Sequence, residues 1–282
     1  VMAVTDPGDE VLIPSPTYST HVSHILLASA RPVYVPLREE ARYALDIDRI
    51  EQSITPRTKA IMYCSPNNPT GTVFAEDQLR QLAQVAMRHD LFVITDEAYE
   101  YFTFDDTRHF SISSIPAMSE RTISCFTFTK TYAMTGWRIG YLHAAPALIP
   151  HLKKAHIPFA ICPPVVSQYA ALGALRGPQT CVQEFCDHYE AARDVMCARL
   201  DSLPEVFSYV RPTGSYLMFP RIVRPEGTDS TAFCKHLLSE AKVSTTPGIA
   251  FGPTGEQHLR LSFCVDIDMI HEAFDRMEQL YR

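Results

Sequence analysis

Lys130 and Arg138 stand in one stretch, TFTKTYAMTGWRIGY, in a chain that holds only 25 basic residues among 282. A desolvated lysine amine can act as a nucleophile or carry a proton, and a guanidinium fork matches the oxygens of a phosphate or a carboxylate. Other segments add to the set. SPNNPTG offers Asn68, DEAYEYF offers Asp96 and Tyr99, SPTYS offers Tyr18, and HLRLSF offers Arg260. Each has an ordinary reading when taken alone. The Asn, Pro and Gly of SPNNPTG are turn formers, Asp96 can cap a helix, Lys130 can be a solvated lysine, and Arg138 can be half of an ion pair. Their value lies in what precedes them.

Each polar segment is fed by a run with strand character: EVLIP into SPTYS, TKAIMYC into SPNNPTG, LFVIT into DEAYEYF, and TISCFTF into Thr129 and Lys130. Two further runs, RPVYVPL and RIGYLHA, complete a set of short β-branched or apolar segments. Helical periodicity lies between several of them, most clearly at Leu79, Leu82, Ala83, Ala86 and Met87. Alternation of this kind predicts an α/β fold with a mostly parallel sheet. In such sheets ligands collect at the carboxyl ends of the strands, where these polar residues sit. After about residue 180 the pattern changes. An amphipathic helix through Val182, Phe185, Tyr189 and Met196 leads to short strands at YLMFPRI, VSTTPG and LRLSF, then to a closing helix with Ile270, Phe274 and Met277. The expected division is a large domain over 1–180 and a smaller α+β domain over 181–282.

Composition narrows the function. With 46% hydrophobic residues the chain can fill a substantial core, and a net charge of −7 without any basic run argues against nucleic acid. Eight cysteines are scattered singly with no CxxC pair, which reads as reduced thiols in a cytoplasmic protein. No stretch reaches the roughly 18 to 20 apolar residues of a membrane span, so no membrane role is expected. GPTG near Gly252 lacks the lysine of a phosphate-binding loop, and His21 and His24 have no companion ligands, so neither a nucleotide nor a metal is expected. The two histidines read as surface or subunit-facing groups.

SPNNPTG, DEAYEYF, TFTKTYAMTGWRIGY and HLRLSF, in this order, resemble the class I/II aminotransferases of fold type I, which use pyridoxal 5'-phosphate. DPGDEVLIPSPTY and PGIAFGPTGEQHLRLSF extend the resemblance over nearly the whole chain. It implies that Lys130 forms the Schiff base with the cofactor and serves as general acid/base, that Arg138 and Thr127 lie at its phosphate, and that Thr129 also contacts the cofactor. It further implies that Asp96 pairs with the pyridine nitrogen, that Asn68 and Tyr99 bond the phenolic oxygen, and that Tyr18 stacks on the ring. Arg260, with Asn68, is implied to bind the substrate carboxylate. The expected reaction moves an amino group from an aspartate-type or aromatic L-amino acid to a 2-oxo acid such as 2-oxoglutarate, in a homodimer. A lyase or decarboxylase on the same fold, and a weakly active or non-catalytic remnant, are the alternatives.

The opening VMAV followed by TDPGDE reads as a helix end entering a turn, so a segment is expected ahead of Val1. Relatives carry there about a hundred residues, including a helix N-terminus that cradles the cofactor phosphate and parts that reach the partner subunit. The expectation that follows is an uncovered strand near 138–142 and weak cofactor binding by these 282 residues alone.

Overall fold

The computed structural model describes residues 1–225 and 229–281. The strand-like runs become β1 (Glu10–Ser15), followed by helix α1 (Ser19–Leu27), and β2 (Arg31–Pro36), followed by α2 (Ile47–Gln52). Next come β3 (Thr58–Cys64), α3 (Glu76–Arg88), β4 (Phe92–Asp96), β5 (Thr122–Thr127), the single turn α4 (Phe128–Thr131) and β6 (Gly140–His143). The strands form one sheet in the order β2-β1-β3-β4-β5-β6. Every pairing is parallel except the last, where β6 runs antiparallel to β5. All four residues of β6 are exposed, so this edge is open.

The period of two along each strand sorts side chains between two layers. Val11, Ile13, Ala60, Met62, Ile94 and Ile123 pack with Ile25 of α1. Leu12, Ile61, Tyr63 and Val93 pack with Leu79, Leu82, Ala83 and Ala86 of α3. Full burial of one such aliphatic side chain is worth about 1.5–3 kcal/mol, so a one-residue slip in any strand is strongly opposed. The same parity decides where polar residues at the strand ends go. On β4, Ile94 and Asp96 share the α1 side, while Val93, Thr95 and the next odd residue, Glu97, share the α3 side.

Helix α3 forms because its apolar residues recur on one face, with Glu76 and Asp77 in its first turn and Arg88 in its last, both suited to the helix dipole. Asp46 caps α2 by accepting from the Arg49 N–H at 3.1 Å. Beyond β6 lie α5 (Ile149–His156), α6 (Val165–Arg176) and the long α7 (Thr180–Asp201). Then follow β7 (Phe207–Ser208), β8 (Leu217–Met218), β9 (Arg221–Ile222), α8 (Ser230–His236), β10 (Thr246–Pro247), β11 (Leu259–Ser262) and α9 (Ile267–Tyr281). Strands β10, β11 and β8 form a small antiparallel sheet. Its core joins Met196 and Leu200 of α7, Phe233 of α8, and Ile270, Phe274 and Met277 of α9. The chain is thus α/β with a mostly parallel central sheet and an α+β region after it. No described helix is long and apolar enough to cross a membrane.

Candidate active site

A cavity of about 690 Å³ opens at the carboxyl ends of β3, β4 and β5, within the size range of small-molecule sites. Tyr18, Asn68, Asp96, Tyr99, Thr127, Thr129, Lys130, Arg138 and Arg260 all line it. Four separate strand ends, the turn ahead of β6 and one strand of the small sheet therefore bring the nine residues singled out from sequence to one place.

Asp96 is the last residue of β4, and its carboxylate is held from two directions. His21 Nε2 lies 2.9 Å from Oδ2, and the Ala98 N–H donates to Oδ1 at 3.1 Å. This corrects the reading of His21 as a surface group: it is only 2% exposed and its ring is edge-on to Tyr18 at 5.4 Å. The cause is helical phase. On α1 the position of His21 faces the sheet, beside Ile25, whereas His24 is exposed. The Thr17 hydroxyl, just ahead of the helix, lies 3.4 Å from Nδ1.

Lys130 sits in α4, the turn that β5 enters directly, and Thr127 caps that turn by accepting from the Thr129 N–H at 3.1 Å. The Thr127 hydroxyl itself donates to the Ile139 carbonyl at 3.4 Å. Lys130 Nζ faces two rings, Tyr216 at 5.4 Å and Tyr99 at 6.0 Å, within the range of cation–π attraction. Those rings meet edge to face with centroids 5.2 Å apart. Burial, and next the neighbouring Tyr216, push the Tyr99 phenol well above its ordinary value, so it stays a protonated donor at neutral pH. Tyr216 went unnoticed in the sequence because it arrives from just ahead of β8, far along the chain, with no local spacing to mark it.

Arg138 holds a left-handed backbone, φ 50° and ψ 53°, which costs a non-glycine residue roughly 1–2 kcal/mol. Its Nη1 donates to the Thr135 carbonyl at 3.1 Å, which leaves most of the guanidinium facing outward. Arg260, on β11, is more firmly fixed. Its Nη1 donates to Asn68 Oδ1 at 3.2 Å and its Nη2 to Thr246 Oγ1 at 3.4 Å, and the guanidinium lies 5.0 Å over the Phe251 ring.

The donor set suits a flat, anionic, nitrogen-containing ring that carries an aldehyde. A carboxylate fixed by His21 can partner a ring nitrogen, a protonated phenol and an amide can meet an oxyanion, and hydroxyls with a guanidinium can meet a phosphate. An amine lies among them, and a second guanidinium is ready for a carboxylate.

A family model described as aminotransferase class I and II matches residues 1–277. An aspartate aminotransferase of Pyrococcus abyssi is 40% identical over 277 residues, covering 98% of this chain and 70% of that protein. The aromatic-amino-acid aminotransferase 2 of Thermococcus litoralis is 39% identical, with the same coverage of 98% and 70%. Among solved structures, an aromatic aminotransferase from Pyrococcus horikoshii superposes with a TM-score of 0.95 at 39% identity, over 99% of this chain and 74% of that one.

Proposed function

The chain belongs to the aminotransferase class I and II family, whose members depend on pyridoxal phosphate, and on that premise we propose that it transfers the amino group of an aspartate-type or aromatic L-amino acid to a 2-oxo acid such as 2-oxoglutarate. The observation that carries the residue assignment is the meeting of Lys130, Asp96, Tyr99, Asn68 and Arg260 around one cavity. When bound, pyridoxal 5'-phosphate supplies an aldehyde for the amino group and a protonated ring that draws electrons from the α carbon.

Each residue then has a task set by its surroundings. Lys130 Nζ would anchor the cofactor aldehyde and, once free, take the proton from the substrate α carbon and hand it on. Asp96, oriented by His21 and the Ala98 N–H, would hold a proton on the ring nitrogen. Tyr99 would donate its phenolic proton, and the amide of Asn68 a second bond, to the ring oxygen. Tyr18 would cover a face of the ring. Thr127, Thr129 and Arg138 would receive the phosphate. Arg260, braced by Asn68 and Thr246, would grip the substrate α-carboxylate as a fork.

The proposal includes a cofactor-binding domain over 1–180, a smaller domain over 181–282, a homodimeric assembly and a cytoplasmic location. All eight cysteines are unpaired thiols, which supports a reducing compartment. Apolar side chains left exposed on α6, Val165, Val166 and Tyr169, support association with a second copy.

Borohydride reduction of the cofactor-loaded protein followed by peptide mapping should place the pyridoxyl group on Lys130, and Lys130→Ala should lose it. A label on Lys153 or Lys154 overturns the assignment. Product analysis with and without added 2-oxoglutarate separates amino transfer, which needs the acceptor, from elimination or decarboxylation, which does not.

A further inference from the structure

Glu97 directly follows Asp96, yet its carboxylate lies on the opposite side of β4 and is 2% exposed. It accepts three bonds there. Thr95 Oγ1 donates to Oε1 at 2.6 Å, Ser111 Oγ donates to the same oxygen at 2.8 Å, and His109 Nε2 lies 2.8 Å from Oε2. Burial pushes the carboxyl up, but the bonds from His109, Thr95 and Ser111 outweigh it, and the group sits below its ordinary value. It is a buried charge that the cavity does not use.

The backbone around it is equally fixed. The Glu97 N–H donates to the Cys125 carbonyl at 2.9 Å, and the Asp96 carbonyl accepts from the Ser65 N–H at 3.1 Å, so this peptide bridges β3 and β5. Past it the chain turns, with the Glu100 N–H on the Glu97 carbonyl at 3.2 Å and the Phe102 N–H on the Tyr99 carbonyl at 2.8 Å. In that turn the side chains divide. Asp96 and Tyr99 face the cavity, while Glu97 and Glu100 face His109, with ligand atoms of the three within 4.8 Å of one another.

We propose that Glu97, gripped by His109, Ser111 and Thr95, is a positioning residue that fixes the angle at which Asp96 and Tyr99 enter the cavity. The proposal rests on the assignment of Asp96 and Tyr99 above. The segment carrying His109 and Ser111 acts as a strap behind the turn, and Glu97 is the buckle. Without the carboxylate, two hydroxyls and an imidazole lose this acceptor, and the turn keeps only its backbone bonds and the contacts of Asp96 to His21 and the Ala98 N–H. Asp96 would then meet the ring nitrogen, and Tyr99 the ring oxygen, in a wider range of geometries, whereas Arg260, held from β11, would be unaffected.

The test compares Glu97→Ala, Glu97→Gln and Ser111→Ala with the parent protein. In cofactor-free protein, amide hydrogen exchange across 97–102 should speed up roughly tenfold in Glu97→Ala, with exchange in α3 unchanged. In loaded protein, kcat per bound cofactor should fall roughly tenfold while KM for the amino acid moves by less than about threefold. Glu97→Gln, which keeps the shape and an acceptor oxygen, should recover much of both. Ser111→Ala, which removes one bond, should show the same pattern in smaller measure if Glu97→Ala does not fold. Parental exchange across 97–102, or faster exchange with parental kcat and cofactor affinity, overturns the proposal. A parent that carries the cofactor label on another lysine instead overturns the assignment of the site, while the exchange result still reports on Glu97.

Discussion

Glu100 shows how one carboxyl reports its surroundings. Burial, against the opposing pull of His109 and with a further push from Glu97, raises it from the ordinary 4.5 to about 7. The folded chain therefore holds a proton there that the unfolded chain has released, and stability is full below about pH 4.5 and declines as pH rises toward 7. Glu100→Gln removes that titration. Its melting temperature relative to the parent should rise between pH 5 and pH 8, by an amount equivalent to about 1–2 kcal/mol once partial exposure is discounted. A pH-independent difference would show that Glu100 ionises freely in the fold. Such a residue is invisible as a special group in DEAYEYF, because its shift comes first from burial in the folded chain and next from its distance to His109 and Glu97. Asp96, Lys130 and Arg260 could be picked out because strand ends and short motifs announce them. His21 and Tyr216 could not, since the first depends on helical phase and the second on a contact between distant segments.

At the scale of elements, the turn between β3 and α3 carries the most constraint. Gly71 has φ +71°, and a Cβ built there would lie 2.5 Å from the Pro212 Cβ and 2.7 Å from the Leu217 carbonyl oxygen. The backbone also uses it on both sides: the Gly71 N–H donates to the Asn67 carbonyl at 2.9 Å, and its own carbonyl accepts from Gly214 at 2.8 Å. Gly71→Ala should cost roughly 1–3 kcal/mol of stability, from overpacking together with the positive φ. It should also weaken the hold of Asn68 on Arg260, which appears as a higher KM for the amino acid. Chemical denaturation and steady-state kinetics check the two separately, and a variant with parental values in both would mean that the segment at 212–217 yields easily. The six strands of the sheet and the helices α3, α7 and α9 were legible from period and turn residues. The short strands β8, β9 and β10 fall within YLMFPRI and VSTTPG, but the single turn α4, the antiparallel sense of β6 and the strand β7 were not legible, because they are fixed by what they pack against.

Across the whole molecule, one side chain ties the parallel sheet's far loop to the region that follows it. Arg193, on α7, is fully buried, and its fork grips Asp105 through Nη1 to Oδ2 at 2.6 Å and Nη2 to Oδ1 at 3.0 Å. It also donates through Nε to Asp194 at 2.7 Å and through Nη1 to the Pro212 carbonyl at 3.3 Å, and its guanidinium lies 4.9 Å over the Phe104 ring. Asp105 ends the segment that runs back to Tyr99, and Pro212 begins the segment that delivers Tyr216. These segments meet through the Phe104 N–H on Thr213 and the Ser215 N–H on Phe102. Arg193 thus sets the relation between the two tyrosines that face Lys130. Asp105 is about half exposed, so Arg193→Ala leaves a solvated carboxylate, and the loss in urea unfolding should be about 1–3 kcal/mol from the bonds and packing of the buried guanidinium. The loss has a pH signature. The bonds from Arg193 hold the Asp105 carboxyl below its ordinary value of 3.8, so this part of the stability is present above pH 3.8 and fades as pH falls through the lower folded value. The gap between parent and variant should be widest near neutral pH and narrow in acid, with packing over Phe104 as the remainder. A gap that stays constant down to about pH 3 would assign the role of Arg193 to packing instead of charge.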